Sequence, residues 1–348
     1  MLSSVIAPVQ NDGPSQMWEV ALKSIRQDAG FARPAVFFVN GFGDQLVALP
    51  AMRALEAIFP GEIQLLLGEG MLSFFYRGMR TGEPVRVWFA DHEAGIIDVD
   101  RIARSTKPCD LFLCLSTGTS PSVLELSRKM DANWTMGYFE MFDQAVHLDH
   151  SAHMFDQYFS IPQQFRPDLR FEDFSFAPVF SPVAERAAER FVRERAGLDS
   201  SILFVHPETL TYKMWSPALF SWVLQRFLDA RPDFIVFLAS VLHYPIELGS
   251  HHLQRFVRVD EHLELVLAIL RYADLFLGID SCLLHAADLF RVAGVGLFGP
   301  TDPHRWGFRL SPCVQSFWGR GSMDAIRPER VLDALLEIAE RVRPQIRT

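Results

Sequence analysis

The chain has 348 residues, room for two ordinary domains. Hydrophobic residues make up 49% and charged residues 22%, a balance that excludes general disorder and a collagen-like repeat. Thirty-three Lys+Arg against 42 Asp+Glu leave a formal charge of −9, the wrong sign for gripping bulk nucleic acid or anionic membrane, and no apolar run is long enough to span a bilayer.

Met1 to Gln10 lacks the basic patch and apolar stretch of a secretory signal. The four cysteines, Cys109, Cys114, Cys282 and Cys313, form no CxxC pair and read as reduced thiols. The expected location is the cytoplasm. Residues 1–33 begin polar and then carry a short helical stretch from Met17 to Asp28, an N-terminal helical appendage. From Pro34 short apolar runs alternate with helical periodicity. Ala35 to Val39 predicts a buried strand, and Asp44 to Phe59 a helix with Leu46, Leu49, Met52 and Leu55 on one stripe. Further strands are predicted at Ile63–Leu67, Val85–Phe89, Leu111–Leu115 and Trp134–Tyr138. Continuous apolar strands of this kind belong to a parallel sheet covered on both faces.

Phe174 to Pro182 carries two prolines and no helical period, which marks a linker. A helix over Val183–Ala196 follows, and the alternation restarts. Strands are predicted at Ile202–Val205, Phe234–Leu238, Leu275–Leu277 and Val295–Phe298. Helices are predicted near Pro217–Asp229, His262–Tyr272, Ser281–Phe290 and Pro328–Arg341. Two consecutive βα arrays predict two doubly wound Rossmann-like domains facing a central cleft, over residues 34–178 and 179–324, with a C-terminal helix in 325–348 packing back.

Four loops stand out. Gly41-Phe42-Gly43-Asp44 sits where the first strand meets its helix. Small residues there let a ligand approach the backbone, and unpaired N–H groups await it. Asp44 suits either a helix cap or a catalytic role. Glu69, ending the second strand, fits a ribose-binding acid, although Leu46 breaks the dinucleotide-binding glycine pattern. Val205-His206-Pro207 leads through Glu208 and Thr209 to Lys213 and Trp215, and a lysine at such a turn reaches phosphate as a flexible point charge. Asp280, Ser281, Cys282 and His285 open a helix after a strand, placing a hydroxyl beside free N–H groups, the chemistry that holds a diphosphate. Gly299-Pro300-Thr301-Asp302-Pro303 shapes a loop at the sheet's carboxyl edge, where ligands bind in such folds.

Other polar clusters read as structural. Asp98-Val99-Asp100 is a short acidic pair of the sort common on solvated surfaces. His147, His150 and His153 with Asp149 and Asp156 have metal-like spacing only if helical, and a surface role fits them better. His243, His251, His252 and His262 show no ligand pattern.

In this order the four loops resemble glycosyltransferase family 9, the ADP-heptose heptosyltransferases. Gly43-Asp44 with Leu49-Pro50-Ala51-Met52-Arg53-Ala54-Leu55 and Phe59-Pro60 is similar to the family's opening run. Val205-His206-Pro207 with Lys213 and Trp215 is similar to its His-Pro…Lys-x-Trp loop, Asp280-Ser281 with His285-Ala286-Ala287 to its Asp-Thr-Gly-x-x-His-x-Ala motif, and Phe298 to Pro303 to its Phe/Tyr-Gly-Pro-Thr-Asp-Pro loop. The likeness covers about residues 35 to 340.

This resemblance implies a GT-B fold, with acceptor on the N-terminal domain and nucleotide sugar on the C-terminal domain. It implies an inverting, metal-independent transfer of a sugar, a heptose from ADP-heptose, to an acceptor hydroxyl. Asp44 is then the general base, beside the acceptor segment Gly41, Phe42 and Gly43. Thr209, Lys213, Asp280, Ser281, Cys282 and His285 line the donor site, and Thr301 and Asp302 shape its edge. No cofactor or metal is expected beyond the nucleotide-sugar substrate. The acceptor is a glycan, a protein hydroxyl or a small metabolite. Residues 34–178 hold eleven Lys+Arg against nineteen Asp+Glu, a balance of −8, which favours a neutral or cationic acceptor over polyanionic lipopolysaccharide core unless Arg53, Arg77, Arg80 and Arg86 cluster. Three departures bear on the donor: Cys282 stands for the family's glycine, Glu208 for a small hydroxyl residue and Ser240 for a frequent glycine. The competing readings are an inactive nucleotide-sugar-binding protein and a nucleotide-sugar epimerase.

Overall fold

The computed structural model describes residues 30–68, 73–197, 200–240 and 244–342. The helix expected over Met17–Asp28, and also Glu69 and His243, lie outside the described residues. The described residues fall into two compact units, 30–179 and 180–342.

In the first unit the strands are β1 (Pro34–Phe38), β2 (Gln64–Leu67), β3 (Val85–Arg86), β4 (Phe89–Asp91), β5 (Ile96–Ile97), β6 (Leu111–Cys114), β7 (Trp134–Gly137) and β8 (Gln144–Ala145). Six of them form a sheet in the order β3-β2-β1-β6-β7-β8, each neighbour parallel to the next. All five residues of β1 are buried, as an inner strand covered on both faces must be. The helix Phe42–Ile58 follows β1 and is buried from Gln45 to Ile58, packed against the helix Met154–Gln163.

Within that helix Arg53 is 4% exposed. Its guanidinium donates to the carbonyls of Phe174, Phe176 and Ala177 and lies 3.7 Å over the Phe176 ring. Burial pulls this guanidinium below the usual arginine range while Glu56 pulls it back up; carbonyl acceptors make so deep a charge tolerable.

In the second unit the strands are β9 (Ser201–His206), β10 (Phe234–Ala239), β11 (Phe256–Val259), β12 (Leu275–Ile279), β13 (Ala293–Phe298) and β14 (Val314–Trp318). Their order, β11-β10-β9-β12-β13-β14, repeats the wiring of the first sheet, again all parallel. Alternate residues Leu203, Val205, Val236, Leu238, Leu275 and Leu277 pack on one face with Trp215, Phe220 and Phe227, and with the helix Pro328–Arg341 through Val331, Leu335 and Ile338. Phe237 points the other way and meets Phe191 of the helix Pro182–Ala196 edge-on at 5.7 Å.

Two features differ from the sequence reading. The single strand expected over Val85–Phe89 breaks: β3 ends at Arg86, and β4 pairs antiparallel with β5 in a hairpin of its own. The break falls at Trp88, whose ring is held between the guanidinium groups of Arg86 and Arg101 at 3.6 and 3.4 Å. Strands β8, β11 and β14 carry no predicted element. All three lie at the ends of their sheets with half-exposed residues, so no continuous apolar run announces them.

Candidate active site

Both sheets reverse strand order at one place, between β1 and β6 in the first unit and between β9 and β12 in the second. At such a point the loops leaving the carboxyl ends of the two strands diverge and open a crevice. Most of the sequence-predicted site residues stand on these loops.

In the first unit, Gly41 caps the helix Phe42–Ile58 with no side-chain bond, and Asp44 sits in the first helical turn. The capping role considered for Asp44 therefore falls to Gly41. The carboxylate is held by other groups. Tyr158 Oη donates to Asp44 Oδ1 at 2.7 Å, and Asn40 Nδ2 lies 3.4 Å from the same oxygen. Asn40 also donates to Thr117 Oγ1 at 2.9 Å, in the loop after β6, where Ser116 Oγ accepts from the Val39 amide. A Cβ added at Gly41 would stand 3.8 Å from Asp44 Oδ2, an ordinary van der Waals contact. Phe42 is 36% exposed beside it. Sequence reasoning missed Tyr158, Asn40 and Thr117. Tyr158 comes from a helix more than a hundred residues away, and no local pattern flags it.

In the second unit, Lys213 ends a single 3₁₀ turn in the loop after β9, and its Nζ donates to Asp280 Oδ2 at 2.7 Å. Asp280 follows β12, is 5% exposed, and turns Oδ1 to within 3.7 Å of His285 Nε2. Lys213, Asp280 and His285 thus form one chain of groups, and the lysine retains two N–H bonds beyond the one it gives to Asp280. Ser281 caps the helix Cys282–Leu289 without a side-chain bond, and its Oγ finds no hydrogen-bond partner among the described residues. Thr301 Oγ1 is buried in the same condition. Asp302 Oδ1 caps the short helix Pro303–Trp306 through the His304 amide at 2.8 Å, which fixes the turn that carries Thr301. Gly299 makes that turn possible, since a Cβ there would fall 2.7 Å from Met323 Sδ and 3.1 Å from its backbone nitrogen. Thr209 is half-buried between β9 and Lys213.

The departures at Cys282, Glu208 and Ser240 acquire a structural account. Burial pushes the Cys282 thiol up to about 11, so it meets the helix start as a neutral group. Glu208 is 6% exposed and accepts from Ser240 Oγ at 2.6 Å, while Ser240 Oγ accepts from the Tyr244 amide at 2.7 Å. Tyr244 closes the network by donating its hydroxyl to the Trp215 carbonyl. The two replacements are therefore partners: the serine that replaces glycine holds the carboxylate that replaces a hydroxyl.

The remaining polar clusters settle as structure. Asp98 caps the helix Val99–Ala103, and Asp100 pairs with Lys129. His153 caps its helix through Nδ1. Asp229, His251 and His252 come within ligand distance of one another, which spacing alone did not reveal. Arg255 donates to His252 Nδ1 at 3.2 Å, however, leaving Nε2 to carry the ring proton toward Asp229 at 3.0 Å. A nitrogen in that state offers no lone pair to a metal. Asp229 also ends the helix leading into β10, at the opposite sheet edge from Lys213.

This pair of doubly wound units is the architecture of the GT-B glycosyltransferases. The chain resembles a glycosyltransferase family 9 structure from Veillonella parvula DSM 2008 at a TM-score of 0.69 and 16% identity, over 88% of this chain and 97% of that one. It resembles the E. coli ADP-heptose lps heptosyltransferase II at 0.67 and 16%, over 88% and 99%. The E. coli heptosyltransferase WaaC with ADP follows at 0.62 and 14%, over the same 88% and 99%. At such identities the likeness is one of fold. No curated protein sequence matches the chain. The family model for glycosyltransferase family 9 (heptosyltransferase) matches residues 127–322, more than half of the sequence, and the chain belongs to that family. It is a glycosyltransferase.

Proposed function

We propose that the protein transfers a heptose from ADP-heptose, with inversion, to a hydroxyl on a neutral or cationic acceptor, such as a protein side chain or a small metabolite. The observation that carries the donor half is the edge of the second sheet. Lys213 is steadied there by Asp280, and two buried hydroxyls, Ser281 Oγ and Thr301 Oγ1, lack partners among the described residues. An ammonium, a helix N-terminus and two hydroxyls are what a departing diphosphate needs: countercharge and donors already in place. These groups supply it without requiring a metal. Asp44 takes the proton as the acceptor oxygen attacks the anomeric carbon; the C–O bond to the sugar forms as the bond to the diphosphate breaks.

The acceptor half rests on charge. The arginines that could have drawn a polyanion are occupied: Arg53 with the carbonyls of Phe174, Phe176 and Ala177, Arg77 with that of Val179, and Arg80 with Glu56 and the carbonyls of Phe59 and Pro60. Arg86 stacks on Trp88. The segment's balance of −8 weighs against a polyanionic glycan as acceptor. The four cysteines are free, in keeping with a reducing, cytoplasmic setting. No described helix is long and apolar enough to cross a membrane.

The test joins binding to turnover. ADP-heptose should raise the melting temperature of the protein more than other nucleotide sugars. Asp44→Asn should bind it nearly as well as wild type while losing on the order of 10²–10⁴ in transfer rate. Full transfer by that variant refutes the base. Turnover on purified lipid-linked core, with none on peptides or small hydroxyl acceptors, refutes the acceptor class. Isomerised donor without any acceptor indicates an epimerase instead.

A further inference from the structure

We propose that Tyr158 is a positioning residue for Asp44, holding the carboxylate ionised and aimed through a buried hydroxyl. The inference rests on the reading of Asp44 as the base and assigns a residue that the motifs do not contain.

Tyr158 is fully buried, yet its hydroxyl reaches the one polar group that matters: Oη lies 2.7 Å from Asp44 Oδ1. A carboxylate only accepts, so the phenol donates, and a charge-assisted bond of that length is among the stronger ones. The phenol is fixed from behind. Its ring meets Phe38 of β1 edge-on at 5.4 Å, and the helix that carries it packs along the helix that carries Asp44. Asn40 Nδ2, 3.4 Å from both Tyr158 Oη and Asp44 Oδ1, ties strand, helix and helix to one point. Oδ1 is thus held by Tyr158 and Asn40 together.

The consequence is specific. A hydrogen bond to the charged form lowers a carboxyl's pKa, and a fixed Oδ1 limits rotation of the other oxygen. Titratable groups on the elements packed against this helix include Tyr76, His153, Asp156, Glu172 and Asp173. Tyr76 gives its hydroxyl to Gln45, and His153 accepts from the Phe155 amide. Tyr158 bonds the carboxylate itself.

The experiment replaces Tyr158 with Phe, which keeps the ring and its packing. Aspartate labelled with ¹³C at the carboxyl is titrated by NMR in wild type and in Tyr158→Phe, and the Asp44 signal is assigned by its loss in Asp44→Asn. The Asp44 midpoint should rise by about one pH unit or more when the hydroxyl is gone, since a bond to a charged group is worth roughly 1.5–3 kcal/mol and one unit about 1.4. In parallel, ADP release from ADP-heptose should fall about tenfold at neutral pH with donor KM unchanged, and its acid limb should move upward with the titration. An unchanged midpoint overturns the proposal whatever the activity. A raised midpoint with undiminished ADP release in both Tyr158→Phe and Asp44→Asn leaves Tyr158 setting the carboxyl but refutes the base. If Tyr158→Phe unfolds, a fluorotyrosine incorporated at position 158 keeps the ring and the hydroxyl but makes it a stronger donor, so the Asp44 midpoint should fall below that of wild type; an unchanged midpoint there overturns the proposal.

Discussion

His206 donates through Nδ1 to the Ala239 carbonyl at 2.9 Å, because a carbonyl can only accept. Burial pushes the imidazole below its ordinary value, against a smaller upward pull from the Ala239 bond and from Glu208. The direction fixes the sign of its effect on stability. The folded state keeps the ring neutral where the unfolded chain, with an ordinary histidine near pH 6.5, takes up a proton. Its contribution is whole above that pH and declines as pH falls below it, levelling once the folded ring also protonates. His252 is lowered chiefly by burial as well and acts in the same direction. His206→Asn, which can still donate an amide N–H, should therefore melt with a smaller drop between pH 7.5 and 5.5 than wild type. Thermal denaturation at the two pH values checks this, and equal drops would assign the acid sensitivity elsewhere. Single residues also mark where sequence reading stops. Asp44, Lys213 and Asp280 were legible because each follows a strand in a recognisable loop, whereas Tyr158 lies inside an ordinary buried helix. Its role exists only because two helices cross beside β1.

At the scale of elements, the loops after β9 and β10 are joined by the Glu208–Ser240–Tyr244 network. A buried carboxylate that loses one of its donors is less well compensated for its desolvation, so Ser240→Ala should lose roughly 1–3 kcal/mol by urea unfolding. With Glu208→Gln already in place the same change should cost less, and a coupling of at least about 0.5 kcal/mol would register the pair. Strict additivity would make the two replacements independent. The inner strands were legible for a related reason. Both their faces are covered, so β1, β6, β9, β10 and β12 read as unbroken apolar runs. The outer strands β8, β11 and β14 face water along part of their length, and their Gln, Arg and Ser residues erase the signal. The helices Pro121–Lys129 and Met154–Gln163 were passed over although each has a defined start, Pro121 at the first position of one and His153 capping the other.

For the whole molecule, two compact units imply that unfolding need not be a single transition. ADP offered alone should raise the unit that carries Lys213 and Ser281, by about 2.7 kcal/mol at a hundredfold excess over its Kd. The hydroxyls of Ser281 and Thr301, without partners among the described residues, set a tension within that gain. A hydroxyl sealed from water without a partner costs stability, and in the proposed donor site a phosphate oxygen would supply that partner. Ser281→Ala should melt higher than wild type in plain buffer yet gain less from ADP in scanning calorimetry. With the donor site as proposed, a variant selected only for heat resistance would drift toward losing its grip on the nucleotide.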